Sequence, residues 1–472
     1  MRNGKELNLC WKPIYFNSML TLLELKTCLG CIYSDVKLVK FLDVFTSFFT
    51  SVSFTTTRSL SRYSEMSLRT WFRFLKLNFN WVLIRVRIFR HYLFDPSKVY
   101  LLVADETVEG KAGICSHGIS KFYSSTAGKP IKGVCFFGMS LVDTASRNSY
   151  MLGVEQVVYS EADKVRIATS KAKKAEKKNK KSDPIILPRG RKKGTKNKEI
   201  IENPTASYRV FKTLFNSVTD LLTTICPQVK ISYLVLDSAY GTLDYQAIAG
   251  QKDIPIISKL KSVTALYLPY VVTKNQPKKQ GRPPVYGEKL NMNTLPNQYL
   301  KKVENDGEHK TETYQLKAYA KNTFGQKLLN IVIQKKQRIS DGKVSTNIWM
   351  STDLDLDWMI LLDYYGLRFQ IEFDFRDAKQ HFGLSDFKNY KEENLTNFVN
   401  LSFTMCLLAK IQLAHHRKIL NAPNLSIIDL KLIYKARFTA KNILKLVRKD
   451  SNTIFNERFC DQFIPQDLIN AA

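Results

Sequence analysis

Tyr100-Leu-Leu-Val-Ala-Asp105 and Tyr233-Leu-Val-Leu-Asp237 decide how this chain is read. Each is a short, unbroken apolar run that stops at a carboxylate. A strand with one wet face alternates polar and apolar residues; a run this short without alternation marks a strand covered on both faces. Strands of that kind build mixed or parallel sheets with helices on their faces, and open α/β sheets bind ligands at the rim beyond the strand ends. A carboxylate mounted there is held rigidly. For one Asp alone, a turn or cap former is the competing reading.

The flanking sequence fits the same class. Ile131–Val142 and Tyr150–Tyr159 read as further strands, and Ala206–Ile225 as a helix carrying Val210, Leu214, Val218, Leu221 and Leu222 at helical spacing. Residues 262–350 are strand-rich, with Tyr314–Ala320 and Leu328–Ile333 flanking a turn at Asn322–Gly325. Residues 354–383 and 396–413 read as helices. Ser67–Lys76 reads as a short basic helix, either part of a DNA-binding bundle or a core helix with a cationic outer face. The mixture predicts an α/β core with insertions.

Composition narrows the partner. The 472 residues are 44% hydrophobic and 12% aromatic, enough for a large core, so wholesale disorder is excluded. Seventy-two Lys and Arg against 42 Asp and Glu leave a net charge of +30, which favours a polyanion. Nucleic acid is preferred to membrane. The apolar stretches Tyr15–Tyr33 and Trp81–Phe94 are broken by Glu24 and Lys26, and by Arg85, Arg87 and Arg90, short of the ~20 clean residues of a span. No secretory signal is apparent at the N-terminus. Cys28 and Cys31 form a CxxC without a second pair, which reads as reduced thiols rather than a zinc site.

The positive charge is concentrated. Residues 164–198 hold 15 Lys and Arg and two acids, read here as a flexible basic insertion. Gln276–Pro284 reads as a second loop. Arg189-Gly-Arg191, followed by Lys192 and Lys193, and Gly281-Arg-Pro283 resemble hooks for a narrow minor groove, or they touch phosphates non-specifically.

A third acid completes a set. On a helix over 365–382, Tyr365, Arg368, Glu372, Arg376 and Lys379 fall on one stripe, beside the apolar stripe Leu367, Ile371, Phe375, Ala378 and Phe382. Of the acids Glu372, Asp374 and Asp377, only Glu372 lies on the polar stripe. The alternative is a salt-bridged helix face. Phosphodiester chemistry at neutral pH needs an activated oxygen nucleophile and a stabilised leaving oxygen; two divalent ions about 3.5–4 Å apart supply both, and hard cations need carboxylate oxygens.

Tyr365-x2-Arg368-x3-Glu372-x6-Lys379 resembles the Y-R-E-K signature of DDE transposases of the insertion-sequence-4 family. Asp105-Glu-Thr107 resembles that family's first motif, D-x-T, and Asp237-Ser-Ala-Tyr240 its second, D-x-G/A-Y/F. Ser258-Lys-Leu-Lys261 and Trp349-Met-Ser-Thr-Asp353 look like the segments that open and close the family's β-rich insertion. The match covers about 95–415.

The resemblance implies an RNase H-like catalytic core. Residues 1–95 are then a helical, DNA-binding N-terminal region. Residues 96–261 and 351–415 are the two parts of the core, 262–350 the β-rich insertion, and 416–472 a C-terminal helical region for dimerisation. It implies that Asp105, Asp237 and Glu372 hold two Mg²⁺ or Mn²⁺ ions and that Tyr365, Arg368 and Lys379 hold DNA phosphates. Nicking at the terminal inverted repeats, a hairpin step and strand transfer into target DNA would follow, in a cytoplasmic, nucleoid-associated homodimer on paired ends. Trp349 and Trp358 are candidates to stack on a flipped base. Arg376 stands outside the signature: a phosphate contact, a salt bridge to Glu372 or plain exposure all fit. Asp353, Asp355 and Asp357 read as a turn and helix cap, and His117 and His381 as bystanders. Two alternatives remain: a nuclease of the same fold that cuts without joining, and an inactive DNA-binding derivative.

Overall fold

The computed structural model describes residues 22–179, 205–271 and 284–449. Arg189, Arg191, Lys192 and Lys193, and nearly all of 276–284, lie outside them. In chain order the elements begin with α1 (Leu22–Leu29), α2 (Asp35–Thr50), α3 (Thr57–Leu60), α4 (Leu68–Phe74) and α5 (Trp81–Tyr92). Four strands follow, β1 (Val99–Gly110), β2 (Ser120–Ser124), β3 (Lys129–Asp143) and β4 (Ser149–Val157). Next come α6 (Glu161–Asn179), α7 (Ala206–Ile225), β5 (Lys230–Leu236), α8 (Leu243–Gly250) and β6 (Ile256–Leu260). Then come β7 (Tyr267–Pro269), β8 (Tyr286–Lys289), β9 (Leu300–Asn305), β10 (His309–Tyr319), α9 (Lys321–Phe324), β11 (Leu328–Arg338) and β12 (Val344–Ser351). The last helices are α10 (Trp358–Leu367), α11 (Gln370–His381), α12 (Glu392–Ile419) and α13 (Ile427–Lys449). The chain divides into two compact units, 95–373 and 1–94 with 374–472.

The first unit is built on one mixed sheet, in the order β2-β3-β1-β5-β6-β12-β11-β10-β7-β8, with β4 also beside β3 and β9 beside β10. Strand β1 is antiparallel to β3 and parallel to β5, and β5 is parallel to β6. This centre, with helices on it, is the RNase H-like α/β core. Residues Tyr100–Ala104, Val134–Phe137 and Leu234–Leu236 are fully or almost fully buried, which is why their sequence shows no alternation. Helix α7 buries Phe211, Leu214, Phe215, Val218 and Leu222. Gly153 of β4 lets it close in, since a Cβ there would sit 3.0 Å from Val218 Cγ2.

Two expectations change in this unit. Asp105 does not end its strand: β1 runs on to Gly110, because β3 continues to pair with it after parallel pairing with β5 stops at Ala104–Leu236. The start of the basic segment is a helix rather than a loop. Ser160 and Asp163 cap α6 reciprocally, Asp163 Oδ2 accepting from the Ser160 N–H at 3.0 Å and Ser160 Oγ from the Asp163 N–H at 3.2 Å. The buried Asp163 carboxylate also takes Arg166 at 2.9 Å and Arg209 of α7 at 2.5 Å, and the Ala, Lys and Glu that follow are good helix formers. Strands β7 to β12 lie within 267–351. They extend the core sheet, β12 pairing with β6 through Ile348–Leu260 to Ser351–Ile257.

The helix over 365–382 is also two helices. At Arg368–Phe369 the backbone shifts to tighter bonds three residues apart: Arg368 N–H to the Tyr365 carbonyl at 3.1 Å and Glu372 N–H to that of Phe369 at 3.0 Å. Gly366 weakens the end of α10 by roughly 1 kcal/mol relative to Ala. The apolar stripe survives the break: Leu367, Ile371, Phe375, Ala378 and Phe382 are all buried.

The second unit is helical. Phe41 of α2 meets Phe74, Phe79 and Trp81 at ring-centroid distances of 5.1–6.3 Å. Helix α12 runs through this core and carries two buried amides. Asn397 accepts from Trp81 Nε1 at 2.7 Å and donates to the Leu75 and Leu77 carbonyls just after α4; Asn400 accepts from the fully buried Arg85 at 2.9 Å. Among the described residues α12 alone is long and apolar enough to cross a membrane, but 78% of its apolar window is buried in the protein, as in a core helix. Helix α4 buries Trp71 and Phe74 and exposes Arg69 and Arg73.

Candidate active site

The two Asp motifs reach one place by different routes. On β1, Asp105 lies one residue past the end of the parallel ladder, opposite Gly138, which puts no side chain beside it. Asp237 is the first residue after β5. Its carbonyl accepts from the Tyr240 and Gly241 N–H groups at 3.0 Å and from Ser258 Oγ at 3.2 Å. Gly241 is needed for that closure, because a Cβ would fall 2.6 Å from the Cβ of buried Ser258. The backbone of Asp237 is thus fixed, while its carboxylate has no hydrogen bond or ion pair among the described residues.

Arg368 joins the acids. From the turn between α10 and α11 it donates Nη1 to Asp105 Oδ2 at 2.7 Å and Nη2 to Glu372 Oε1 at 2.9 Å. The arginine side chain is 16% exposed, Asp105 21% and Glu372 39%. Asp105 Oδ1 accepts from the Glu106 N–H at 2.8 Å. Burial pushes the Asp105 carboxyl up to about 6; Arg368 and the Glu106 N–H pull it down, and Asp237 and Glu372 push it up. Three carboxylates therefore share one electrostatic neighbourhood. Burial also raises Tyr365 to about 12, with Arg368 pulling down and Asp237 and Asp105 pushing up. The Tyr365 ring meets Trp349 edge-on at 6.2 Å, and Lys259 Nζ lies 5.6 Å over that indole. Trp349 is buried; Trp358 begins α10.

The raised Asp105 carboxyl sets a pH-dependent expectation. An acid whose folded value exceeds its ordinary 3.8 destabilises the fold above the folded value, and the penalty fades as pH falls between the two. In chelator, Asp105→Asn is thus expected to gain stability relative to wild type as pH rises from 4 to above 6, set against a pH-independent cost of leaving Arg368 one carboxylate fewer. The gain should shrink toward pH 4 in urea titrations of variant and wild type. A difference that does not change with pH would contradict it.

The donors suit a hard divalent cation. All are carboxylate oxygens, they repel one another, and a cation already stands among them in the guanidinium of Arg368. Among the described residues no three His, Cys, Asp or Glu side chains group closely enough to hold a metal ion.

The remaining expected residues are placed as follows. Arg376 and Lys379 belong to the later turns of α11 and to the helical unit; Arg376 is half-exposed and lies 3.5 Å from Asp377. Asp357 caps α10 by accepting from the Met359 N–H at 2.8 Å, Asp353 accepts from Tyr233 Oη at 2.6 Å, and Asp355 pairs with Lys317. His117 and His381 offer backbone carbonyls to Gln156 and Lys431. Sequence reasoning missed Glu106. It faces away from Asp105 toward Ser207, Tyr240 and Cys135, and burial raises its carboxyl. The signal was present: two adjacent acids in an apolar strand must point to opposite faces.

Fold and acids together define an RNase H-like domain of the DDE type. Residues 69–323 match the family described as DDE superfamily endonuclease, and the chain belongs to that family. The matched span contains Asp105 and Asp237 and stops before Glu372. Enzymes of this superfamily are endonucleases acting on DNA and generally use divalent metals. No curated protein matches the chain.

Proposed function

We propose that the chain is a DDE transposase of the insertion-sequence-4 type. In this reading it cuts the terminal inverted repeats of its element and joins the ends to target DNA, through a hairpin intermediate and as a homodimer on paired ends, within the cytoplasm. The observation that carries the reading is the Arg368 bridge, which unites Asp105 with Glu372 beside Asp237. Asp105, Asp237 and Glu372 would hold two Mg²⁺ or Mn²⁺ ions, which activate an oxygen nucleophile and stabilise the leaving oxygen when bound. Tyr365, Arg368 and Lys379 would hold DNA phosphates, with Arg376 and the Arg189, Arg191, Lys192 and Lys193 cluster as further contacts.

Joining separates this reading from a nuclease of the same fold. Pre-cut element ends incubated with plasmid and Mg²⁺ are expected to yield joined products. Cleavage without joining would favour the nuclease. An inactive derivative is disfavoured, since it predicts the loss of at least one acid, and all three are present.

The basic helix α6 gives a second expectation. Its anchor, Asp163 with Arg209, fixes its start, and the exposed Lys171 and Lys173 lie further along it. Replacing Lys171, Lys173, Lys174, Lys177 and Lys178 by Gln should flatten the dependence of DNA affinity on salt by about 0.9 log units for each phosphate no longer neutralised. A slope equal to that of wild type would remove α6 from the DNA interface.

A further inference from the structure

We propose that Arg368 is an internal counter-cation that withholds Asp105 and Glu372 from divalent metal until a DNA phosphate takes the guanidinium away. The inference rests on reading Asp105, Asp237 and Glu372 as the metal-holding acids. It starts from occupancy. Both Asp105 oxygens are engaged, Oδ1 by the Glu106 N–H at 2.8 Å and Oδ2 by Arg368 at 2.7 Å, and the second prong of the same guanidinium holds Glu372 Oε1 at 2.9 Å. A planar fork satisfied on two carboxylates is a strong, geometrically selective arrangement. Among the described residues no three acids are grouped as for a metal.

Removing the guanidinium alone is unfavourable. Arg368 is only 16% exposed, and a cation taken from its partners without a new anion is left poorly solvated. A phosphate diester offers acceptor oxygens that suit the same fork. Exchange of carboxylates for phosphate would free Asp105 and Glu372 together. Metal and DNA then assist each other's binding, and by linkage the assistance is equal in both directions. The free protein would carry little metal, so its nucleolytic chemistry would assemble only on DNA. Arg368 is a positioning residue in this account, and its effect is read without measuring cleavage.

The test is Mn²⁺ binding to the full-length protein, followed by the electron-paramagnetic signal of free Mn²⁺, with and without a short blunt DNA duplex. Without DNA, Arg368→Gln is expected to bind Mn²⁺ at least tenfold more tightly than wild type. The duplex should tighten wild type by a similar factor and Arg368→Gln by much less. Equal or weaker Mn²⁺ binding by DNA-free Arg368→Gln would overturn the proposal. Should that variant fail to fold by circular dichroism, Arg368→Lys takes its place, since one ammonium cannot span both acids in the same way, and the same comparison decides. Asp105→Asn and Glu372→Gln separate the withholding role from the metal-holding role beneath it. If they abolish Mn²⁺ binding while Arg368→Gln matches wild type, only the withholding role fails. If they leave Mn²⁺ binding intact, the carboxylate reading fails as well.

Discussion

Glu372→Gln is expected to retain DNA binding and to lose metal-dependent cleavage by about 10³-fold or more, some 4 kcal/mol of transition-state stabilisation. The substitution preserves shape and removes one negative charge from a group 39% exposed and held at 2.9 Å by Arg368. A partly exposed side chain on α11 adds little to the core, so the fold should persist. What disappears is a hard oxygen donor, which an amide replaces poorly. Fluorescence anisotropy with a labelled duplex reads binding, and gel-resolved nicking in Mg²⁺ reads chemistry. Cleavage at the wild-type rate would remove Glu372 from the catalytic set.

Two residues further along the same helix, an acid of opposite character carries the second large effect. Asp374 is 1% exposed and takes Lys410 Nζ of α12 at 2.5 Å. Its carbonyl lies 3.8 Å from the buried Cys406 thiol, whose titration is driven far up by burial. Asp374→Ala removes the buried carboxylate that Lys410 reaches while leaving Asp377 nearby; breaking a buried pair from one side costs about 3–5 kcal/mol. Urea titration at neutral pH should show the midpoint falling accordingly. A loss below about 1 kcal/mol, the range of surface pairs, would mean that water reaches the pair in solution. The double variant Asp374→Ala with Lys410→Met should recover much of the loss, because the ammonium no longer sits beside the core without the Asp374 carboxylate.

The contrast between these acids explains what the sequence made legible. Helical spacing alone put Glu372 on the polar stripe and left Asp374 off it, since the two residues differ by some 200° of rotation. Burial patterns in β1 and β5 were equally readable, because a strand covered on both faces leaves an unbroken apolar run. Other features depended on partners distant in sequence. The strand through Asp105 continues because β3 keeps pairing with it, and nothing in Tyr100–Asp105 encodes β3. The basic helix α6 is fixed by Asp163 reaching Arg209, 46 residues away, so its lysines read as a loop. The break at Arg368 is set by local hydrogen bonding that periodicity does not register. The Arg368 bridge itself spans 263 residues to Asp105; the residue types were visible beforehand, but their pairing was not.

The seam between β6 and β12 constrains how such a chain can be shortened. Ile256, Ile257, Ser258 and Leu260 are buried, and β12 covers the side of β6 that β5 does not. Excising 262–350 would leave that apolar border open, with its backbone donors and acceptors available to any passing extended segment. A viable trimmed descendant, natural or engineered, would have to bring its own stopper for that border, a charged or proline-bearing strand or a helix laid across it. Without one, self-association through the cut edge is the outcome that physical chemistry favours.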